Sequence, residues 1–518
     1  MNLNFKGAAI AAAALALVPF ATAQDLSPVS QAALEKLGFG AGPDAIFAFE
    51  TASETEGAVT LEKVTITNDD TIEFGRFILT GLGDNDGDSL GLDSLVVEAI
   101  SIPEAEDGDG YMTIDAVRVG EPNTALFDDL FLKVLRNDFE AIDFEAWSTS
   151  GVSIEGVKLF SDSDGELVDL TLEQIGFSNG ETGLLDQLTM SGLSFAYAGA
   201  DGTLNAGISS FELAGIKPLL TDVFRLGMIE ELEDRDEDLV AQLRDAEADN
   251  LAEPGYDRFE ISGVSLDVVG LVFDLPSFTS TVERNEAGEA TAAAFEPFRA
   301  VLGADPSQEV GAMLTGILGF LGVPDGIVMS GYGKTRYVPE TNTLLQDTSE
   351  NILNFEGLMS ASYGFEWSGV QPIYRLALDF LDERSKNASA EELEAALEPL
   401  ELSNLTIVLA DYGLIDSALQ LYALQQASDP ETARLQLKGM LAFLPLGLSE
   451  LGVDAVLSNR LATGLSNFLD GNSEVTLSFD PDPSINGLEF LEPDTLNDAR
   501  LGFTAVNTPF EETSQTTE

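Results

Sequence analysis

Two short acidic stretches carry the side chains best suited to binding chemistry. Each places carboxylates at alternating positions around a glycine: Asp84, Asp86 and Asp88 in one, and Asp162, Asp164 and Glu166 in the other. Calcium is held by about six to eight oxygen atoms, many of them from carboxylates, so all six residues are candidate calcium ligands. An EF-hand loop beginning at Asp84 would need a glutamate where Leu95 stands. We therefore interpret the stretches as hairpin turns, with weak calcium binding by the acidic turns as the alternative.

A serine followed by a glycine is the second candidate for chemistry. Ser191-Gly192 has counterparts in the stretches 148–154 and 260–266. A serine nucleophile needs a base, and the chain contains no histidine and no cysteine. This excludes Ser-His-Asp triads, cysteine nucleophiles, disulfides and Cys/His zinc sites. Neither a Ser-x-x-Lys dyad nor a Gly-x-Ser-x-Gly elbow is present. We predict no catalytic residues and no cofactor apart from calcium, while the 90 acidic residues keep a hydrolase with paired carboxylates open.

The charge of the chain restricts its partners. The formal net charge is −66 at pH 7, with 24 basic residues among 518. Nucleic-acid binding depends on neutralising phosphates with Lys and Arg, so we predict that nucleic acid is not a partner. Apolar residues make up 44% of the chain, which is enough for a large core and is not typical of disorder.

An apolar pattern repeats along the chain and predicts its strands. An apolar residue is followed by two more, three and then five positions later, as in Leu61/Val64/Ile66, Met190/Leu193/Phe195 and Ile261/Val264/Leu266. The last step has strand period, whereas the step of three does not. A β-bulge or a bend would absorb the extra residue, and glycine suits such a position. We therefore expect Gly151, Gly192 and Gly263 at bends where strands begin.

The repeats and the turns between them predict an antiparallel meander. Asp-Gly and Asn-Gly pairs such as Asp164-Gly165, Asn179-Gly180 and Asp201-Gly202 suit tight hairpins. We expect eight or more strands between about residues 45 and 220, interrupted by an amphipathic helix at 122–146. The predicted fold class is α+β, a long, curved, mostly antiparallel sheet with amphipathic helices packed on it.

The second half of the chain has mixed periodicity. We expect strands at 258–275, 326–338, 353–370, 402–410 and 473–480, with a last copy of the repeat at Ile485/Leu488/Phe490. Helices are expected at 228–250, in two pieces within 295–322, and at 373–384, 389–398, 412–427, 430–443 and 447–469.

Two apolar stretches stand out in this half, 311–322 and 438–453. Each is shorter than the ~20 residues that span a bilayer. We expect buried core helices, with a membrane-touching or lipid-covering helix as the alternative.

The first residues predict export. Lys6 precedes an apolar run, and Ala21-Thr22-Ala23 is typical of a signal-peptide cleavage site. We expect a signal peptide at 1–23, a β-rich repeat region with one helical insertion at 24–225, a mixed region at 226–507 that continues the same sheet or stands apart, and a polar tail at 508–518. No transmembrane segment is expected after cleavage.

The repeated strands with acidic hairpins and inserted helices resemble the repetitive β-rich envelope proteins of Gram-negative bacteria, the AsmA-like and YdgA-like groups. The resemblance covers residues 55–270 and a few later strands. An uncharacterised family of exported proteobacterial proteins is the alternative. With the predicted signal peptide, we expect a periplasmic or extracellular location in a Gram-negative bacterium. No functional residue is transferred by it.

Three functions follow as hypotheses. The first is a non-enzymatic envelope protein that binds a lipid, another apolar ligand or a partner segment on the curved sheet, its partner being a lipid or an envelope protein. The second is a structural or surface protein that binds calcium weakly through its acidic turns. The third is the carboxylate hydrolase.

Overall fold

The structure is a computed structural model. It describes residues 22–23, 26–40, 47–67, 71–83, 92–103, 110–128, 149–163, 165–179, 185–200, 202–217, 254–381, 389–450, 453–491 and 497–510. The chain divides into two compact units. Unit 1 contains residues 1–235 and 259–268, and unit 2 contains residues 236–258 and 269–518. Strands, mostly antiparallel, dominate the described residues and helices accompany them, so the α+β fold class is confirmed. The curvature of the sheet stays a prediction.

Unit 1 is a meander with two described helices. Its strands are β1 (Thr22–Ala23), β2 (Phe39–Gly40), β3 (Phe47–Ala48), β4 (Thr51–Thr55), β5 (Ala58–Thr67), β6 (Thr71–Thr80), β7 (Ser94–Pro103), β8 (Tyr111–Gly120), β9 (Gly151–Ser163), β10 (Glu166–Asn179), β11 (Leu185–Gly199), β12 (Gly202–Ala214) and β13 (Arg258–Val268). The helices are α1 (Pro28–Lys36) and α2 (Thr124–Asp128). Each strand from β5 to β12 pairs antiparallel with the next, which confirms the predicted meander.

Two predicted hairpin turns are confirmed. Gly165 lies between β9 and β10 with a φ of 83°, and Gly202 opens β12 with a φ of 128°. Of the helix predicted at 122–146, only α2 falls within the described residues. Most of its predicted apolar face, the helix predicted at 228–250 and the turn glycine Gly180 lie outside them.

The step of three in the repeat has a backbone cause. Lys63, Ala99, Gly156, Gly192 and Gly263 all have a positive φ, between 52° and 66°, in the middle of alternate strands from β5 to β13. A residue in this region breaks the in-out alternation of a strand. In β5, for example, Glu62 and Lys63 are both exposed between buried neighbours. The apolar side chains on both sides of the break therefore reach the same face.

These five residues lie in one line across the strands, which we call the crossing row. Between them, the even-numbered strands contribute Gly75, Asp115, Glu173 and Ser209. The predicted bulge or strand entry at Gly192 is wrong, because Gly192 lies in the middle of β11, and Thr171–Ser194 and Gln174–Ser191 keep one register on its two sides. Both paired strands contain the step of three at the same level. Neither strand therefore needs the additional residue that a β-bulge would insert. Gly263 likewise lies in the middle of β13 and not where the strand begins. Gly151 is the first residue of β9, as expected, but it is Gly156 that occupies the row.

The core of unit 1 lies on one face of β5–β8. Leu61, Phe77 and Leu95 are fully buried there. α1, β2, β3 and α2 cover this face, with Phe39, Phe47 and Phe127 packed among the sheet residues. The step of three brings the apolar side chains from both halves of each strand to this one face. The same covering elements can therefore bury all of them.

Unit 2 alternates strands with helices. Its strands are β14 (Leu271–Arg284), β15 (Ala290–Ala304), β16 (Ile327–Val338), β17 (Thr343–Gln346), β18 (Ile352–Phe355), β19 (Met359–Ser368), β20 (Glu401–Asp411), β21 (Ser473–Phe479), β22 (Ile485–Asn486) and β23 (Thr504–Pro509). Its helices are α3 (Glu309–Phe320), α4 (Gln371–Leu381), α5 (Ala390–Leu397), α6 (Leu414–Gln425), α7 (Pro430–Glu450), α8 (Ala455–Phe468) and α9 (Asp498–Leu501), with short 3-10 helices at Pro339–Thr341 and Gly487–Leu491.

One predicted helix of unit 2 is a strand. Residues 295–304 belong to β15, and only the second predicted piece is helical, as α3. The register of β15 against β16 shifts between Phe295 and Phe298, so Glu296 and Pro297 form an irregularity. Both phenylalanine rings consequently pack against Phe278. The shift produces the i, i+3 spacing that indicated a helix.

Other boundaries in unit 2 also differ from the predictions. Residues 353–370 form two strands, β18 and β19, joined through Gly357 with a φ of 72°. The last predicted repeat copy is wrong, because Leu488 lies in the 3-10 helix that follows β22. α7 continues through Pro445 to Glu450. α8 starts after Asp454, whose carboxylate accepts hydrogen bonds from the amides of Val456 and Leu457.

An ion pair fixes the C-terminal part of unit 2. The Arg500 guanidinium donates to both carboxylate oxygens of Glu489, at 2.7 and 2.8 Å, and also to the Ser484 carbonyl at 2.7 Å. The hydrogen bond from Arg500 holds the pKa of Glu489 below its ordinary value of 4.5. A lowered pKa means that the folded state favours the carboxylate.

We therefore expect Glu489→Gln to lower the melting temperature at neutral pH, where the stabilisation by the carboxylate is fully present. The difference between wild type and variant should shrink as the pH falls below 4.5 and through the lowered pKa. Thermal melts over a pH series measure both effects. A difference that stays constant down to the acid end of the series would contradict the role of the ion pair.

Candidate functional site

The apolar side of the sheet continues from β8 into β9–β12. Cross-strand pairing places apolar residues opposite one another in each of these strands, and we call this surface the apolar face. Its members are Ile154, Val157, Leu159, Leu170, Leu172, Ile175, Met190, Leu193, Phe195, Ala206, Ile208 and Phe211. With strands about 4.8 Å apart and about 3.3 Å per residue, it measures about 14 by about 17 Å.

The burial of this side changes along the sheet. Leu79, Leu95 and Val97 are fully buried in β6 and β7. Every member of the apolar face, by contrast, is only partly buried. One continuous apolar side is thus a closed core at β5–β8 and a partly open surface at β9–β12. An apolar surface that the fold leaves partly uncovered is a candidate binding surface for an apolar ligand or partner.

The opposite side of the same strands is polar. Arg118 donates from Nε to the Glu155 carboxylate at 2.8 Å, and this hydrogen bond raises the pKa of Arg118. Two shallow cavities of about 490 and 480 Å³ lie on this side. The first is lined by Gly120, Gly151 and Gly176 together with polar side chains such as Arg118 and Gln187. The Arg118 guanidinium is already paired with a carboxylate and is therefore a poor binding group for a charged ligand. The apolar face is the better candidate binding surface.

The predicted calcium ligands fall mostly outside the described residues. Asp84, Asp86, Asp88 and Asp164 lie there. Asp162 and Glu166 are exposed at the end of the β9–β10 hairpin, where Asp162 pairs with Leu167 and Glu166 with Ser163. Successive positions point to opposite sides of a sheet, so the two carboxylates are directed apart. The part of the chain that the structure describes contains no group of three or more acidic side chains arranged to hold a metal.

The carboxyl groups whose pKa is shifted within the described residues all shift in one direction. Within the described residues, each carboxyl with a shifted pKa has it lowered by hydrogen bonds to its ionised form: Glu54, Asp305, Asp347, Glu392, Asp429 and Glu489. A glycosidase-type mechanism needs one carboxyl with a raised pKa to act as the acid. These groups are ionised at neutral pH and cannot take that role.

Unit 2 carries a second apolar surface, between α7 and α8. A groove of about 540 Å³ separates them, and we call it the helix groove. It is lined by Leu437, Met440, Leu441, Phe443, Leu444, Leu465, Phe468 and Leu469. Its volume lies within the range of ligand pockets. Every one of its lining side chains is apolar.

The expectation of buried core helices at 311–322 and 438–453 is wrong. On α7, Phe443 is 68% exposed, Leu446 64% and Met440 57%. On α3, Met313 is 62% exposed, and only Gly311 and Leu318 are buried. Monomeric proteins rarely leave several large apolar side chains this exposed on one helix. The alternative of a membrane-touching or lipid-covering helix stays a prediction for α7.

Basic side chains close one end of the helix groove. Arg434 of α7 donates to the Asp416 carboxylate at 2.6 Å and to the Leu469 carbonyl at 2.8 Å. Lys438 donates to the Asp470 carboxylate at 2.5 Å. These contacts tie α7 to α6 and to the end of α8 without using the side chain of any lining residue. Polar contacts thus fix α7 beside the C-terminal end of α8.

Sequence reasoning missed how the apolar residues are exposed. The sequence identified the apolar residues of both surfaces. It did not show that the breaks in the strands form one line, the crossing row, or that the apolar side chains of α7 are exposed. A usable signal was present for the helices, because residues 432–449 and 455–469 contain no acidic residue in a chain with 90. Such local depletion of acid indicates apolar helix surfaces that are shielded from water, and it is the same whether another part of the chain or a partner covers them.

Comparisons with known proteins cover only part of unit 2. A family model described as "Uncharacterized protein" matches residues 353–507, which is less than half of the chain. Neither a curated protein nor a solved structure matches the chain. Within the described residues, no helix combines the length and hydrophobicity needed to cross a membrane. The family match includes α7, α8 and the helix groove.

Proposed function

We propose that this protein is a non-enzymatic envelope protein that binds an acyl chain on the apolar face of unit 1. The observation that carries the proposal is the change in burial along one side of the sheet. Its apolar residues are closed over at β5–β8 and partly open at β9–β12. Removing their remaining exposed area from water would favour binding by about 25 cal/mol per Å² of apolar surface.

The dimensions and polarity of the apolar face fit an extended acyl chain. Its members form cross-strand pairs with no charged residue among them, as with Leu170–Phe195 and Leu193–Ile208. The face is about as long as an extended fatty acid, and a chain lying on it would contact apolar side chains throughout. The carboxylate of a fatty acid would extend beyond the face, since an unpaired charge is costly on apolar surface.

Binding of palmitate in detergent-free buffer tests this proposal. We expect Leu193→Asp to weaken binding at least about tenfold, equivalent to about 1.4 kcal/mol, because it places a charge on the apolar face. Ser194→Asp is the matched control, because Ser194 is the next residue along β11, is exposed and lies on the polar side. Titration calorimetry measures both affinities.

A second variant separates binding from folding. Leu193→Ser removes apolar area without adding charge, and circular dichroism reports whether each variant is folded. Absence of palmitate binding by the wild-type protein, or equal loss in Leu193→Asp and Ser194→Asp, would refute the proposal.

A further inference from the structure

The helices around the helix groove form a surface distinct from the apolar face. Large apolar side chains are exposed on α7 and also on α3 and α6, where Met313 and Leu424 protrude. α3 and α6 belong together, since Ser417 of α6 donates to the Leu321 carbonyl at the end of α3. The exposed apolar residues thus occur on several connected helices of unit 2.

The charge of these helices argues for a particular occupant. Residues 432–449 and 455–469 contain the basic residues Arg434, Lys438 and Arg460 and no acidic residue. All three are paired with flanking carboxylates, of Asp416, Asp470 and Asp498 respectively. Between Glu431 and Glu450 at the two ends of α7, the helix therefore carries no unpaired charge, although the chain as a whole has a net charge of −66.

We infer that α7 and α8 dock onto the surface of a bilayer of zwitterionic lipids. When a neutral apolar surface enters the membrane–water interface, no unpaired charged group has to be removed from water. Its apolar side chains are buried among the acyl chains of the lipids. A second copy of this chain is a poorer occupant, because two copies of charge −66 repel each other. An anionic bilayer is disfavoured for the same reason. This inference stands on unit 2 and does not depend on the acyl-chain proposal.

The geometry of α7 supports an orientation in which the helix axis lies parallel to the membrane plane. Leu435, Met440, Phe443 and Leu446 are all exposed over three turns of one helix. Amphipathic helices that lie in the interface bury such side chains just below the headgroups. Lys438 is paired with Asp470 at one end of the groove, so the polar contacts hold α7 beside α8 while the apolar side chains enter the lipid.

Flotation of the full-length protein with phosphatidylcholine vesicles tests the inference. We expect the wild type to float with the vesicles and the double variant Phe443→Asp, Leu446→Asp to lose at least about tenfold in its partition coefficient. The double variant Ser277→Asp, Ala287→Asp is the matched control, because both residues are exposed in unit 2 outside its helices and the change adds the same two charges. Adding phosphatidylglycerol to the vesicles should weaken wild-type binding at low salt, and raising the salt concentration should restore it.

Three outcomes would overturn the inference. They are a wild type that does not float, equal flotation of wild type and double variant, and a wild-type dimer that the double variant converts to monomer. Circular dichroism checks that the double variant is folded, and Phe443→Ser is a milder version. Leu193→Asp should float normally, and the double variant should still bind dissolved palmitate. The two proposals can therefore fail separately.

Discussion

Phe77→Ala lowers the free energy of unfolding by about 3–5 kcal/mol, the cost expected for removing a fully buried phenyl ring. Phe77 is completely inaccessible, and its ring centroid lies 5.5 Å from that of Phe39 and 5.2 Å from that of Phe74. Truncation leaves a cavity that these rings cannot fill without leaving their rotamers. Denaturant unfolding followed by fluorescence or circular dichroism measures the change.

Tyr111→Ala is the control for this prediction. Tyr111 lies on β8 of the same sheet, is half exposed and stacks on Phe160 at 5.6 Å. Its truncation should cost less than about 1.5 kcal/mol, the upper range for one aromatic pair. If Phe77→Ala costs no more than Tyr111→Ala, then β5–β8 do not form a closed core. The contrast between the core and the apolar face would then disappear as well.

Gly192→Val costs about 3 kcal/mol, because valine at a positive φ is strongly disfavoured. Gly192 has a φ of 62° in the middle of β11, and the Glu173 side chain occupies the space that a Cβ would need. The variant must either strain the backbone or leave the crossing row. Leaving the row would turn one half of β11 to the polar side, so palmitate affinity should fall together with stability.

Two further variants isolate the role of the crossing row. Gly176→Val is the matched control, because Gly176 lies on neighbouring β10, has no positive φ, and a Cβ there would approach the Thr189 hydroxyl no closer than 3.3 Å, whereas at Gly192 it would collide with Glu173. We expect it to cost much less than Gly192→Val. Ala99→Gly is the reciprocal change, since Ala99 occupies the row with a φ of 56° and approaches Gly75. It should not destabilise the protein. Equal costs at Gly192 and Gly176 would contradict the importance of the left-handed backbone.

Much of unit 1 could be predicted because its signals are local. The Asp-Gly turn at Gly165 depends on a glycine conformation that neighbouring residues specify. The apolar repeat indicated strands and a break in their alternation at the correct places, for instance between Leu61 and Val64. The form of the break was predicted wrongly, because a bulge in one strand and a paired break in two strands produce the same spacing in the sequence. Only the register of the partner strand distinguishes them.

In unit 2, the spacing of two phenylalanines led to a helix being predicted where the structure has a strand. Phe295 and Phe298 are three positions apart because of a register irregularity, and this spacing is also that of a helix face. The exposure of Phe443 could not be inferred either. An apolar helix has the same composition whether a neighbour covers it or lipid does, so its sequence does not determine its burial.

By itself, the sequence determined the chemistry that this protein lacks and the strand repeat from which unit 1 is built. The absence of histidine and cysteine needs no structure to be conclusive, and the repeat follows from side-chain periodicity. The tertiary structure decided which apolar residues are buried and which are exposed. Periodicity assigns side chains to a face, but only the packing of other elements determines whether that face is closed, as at β5–β8, or partly open, as at β9–β12.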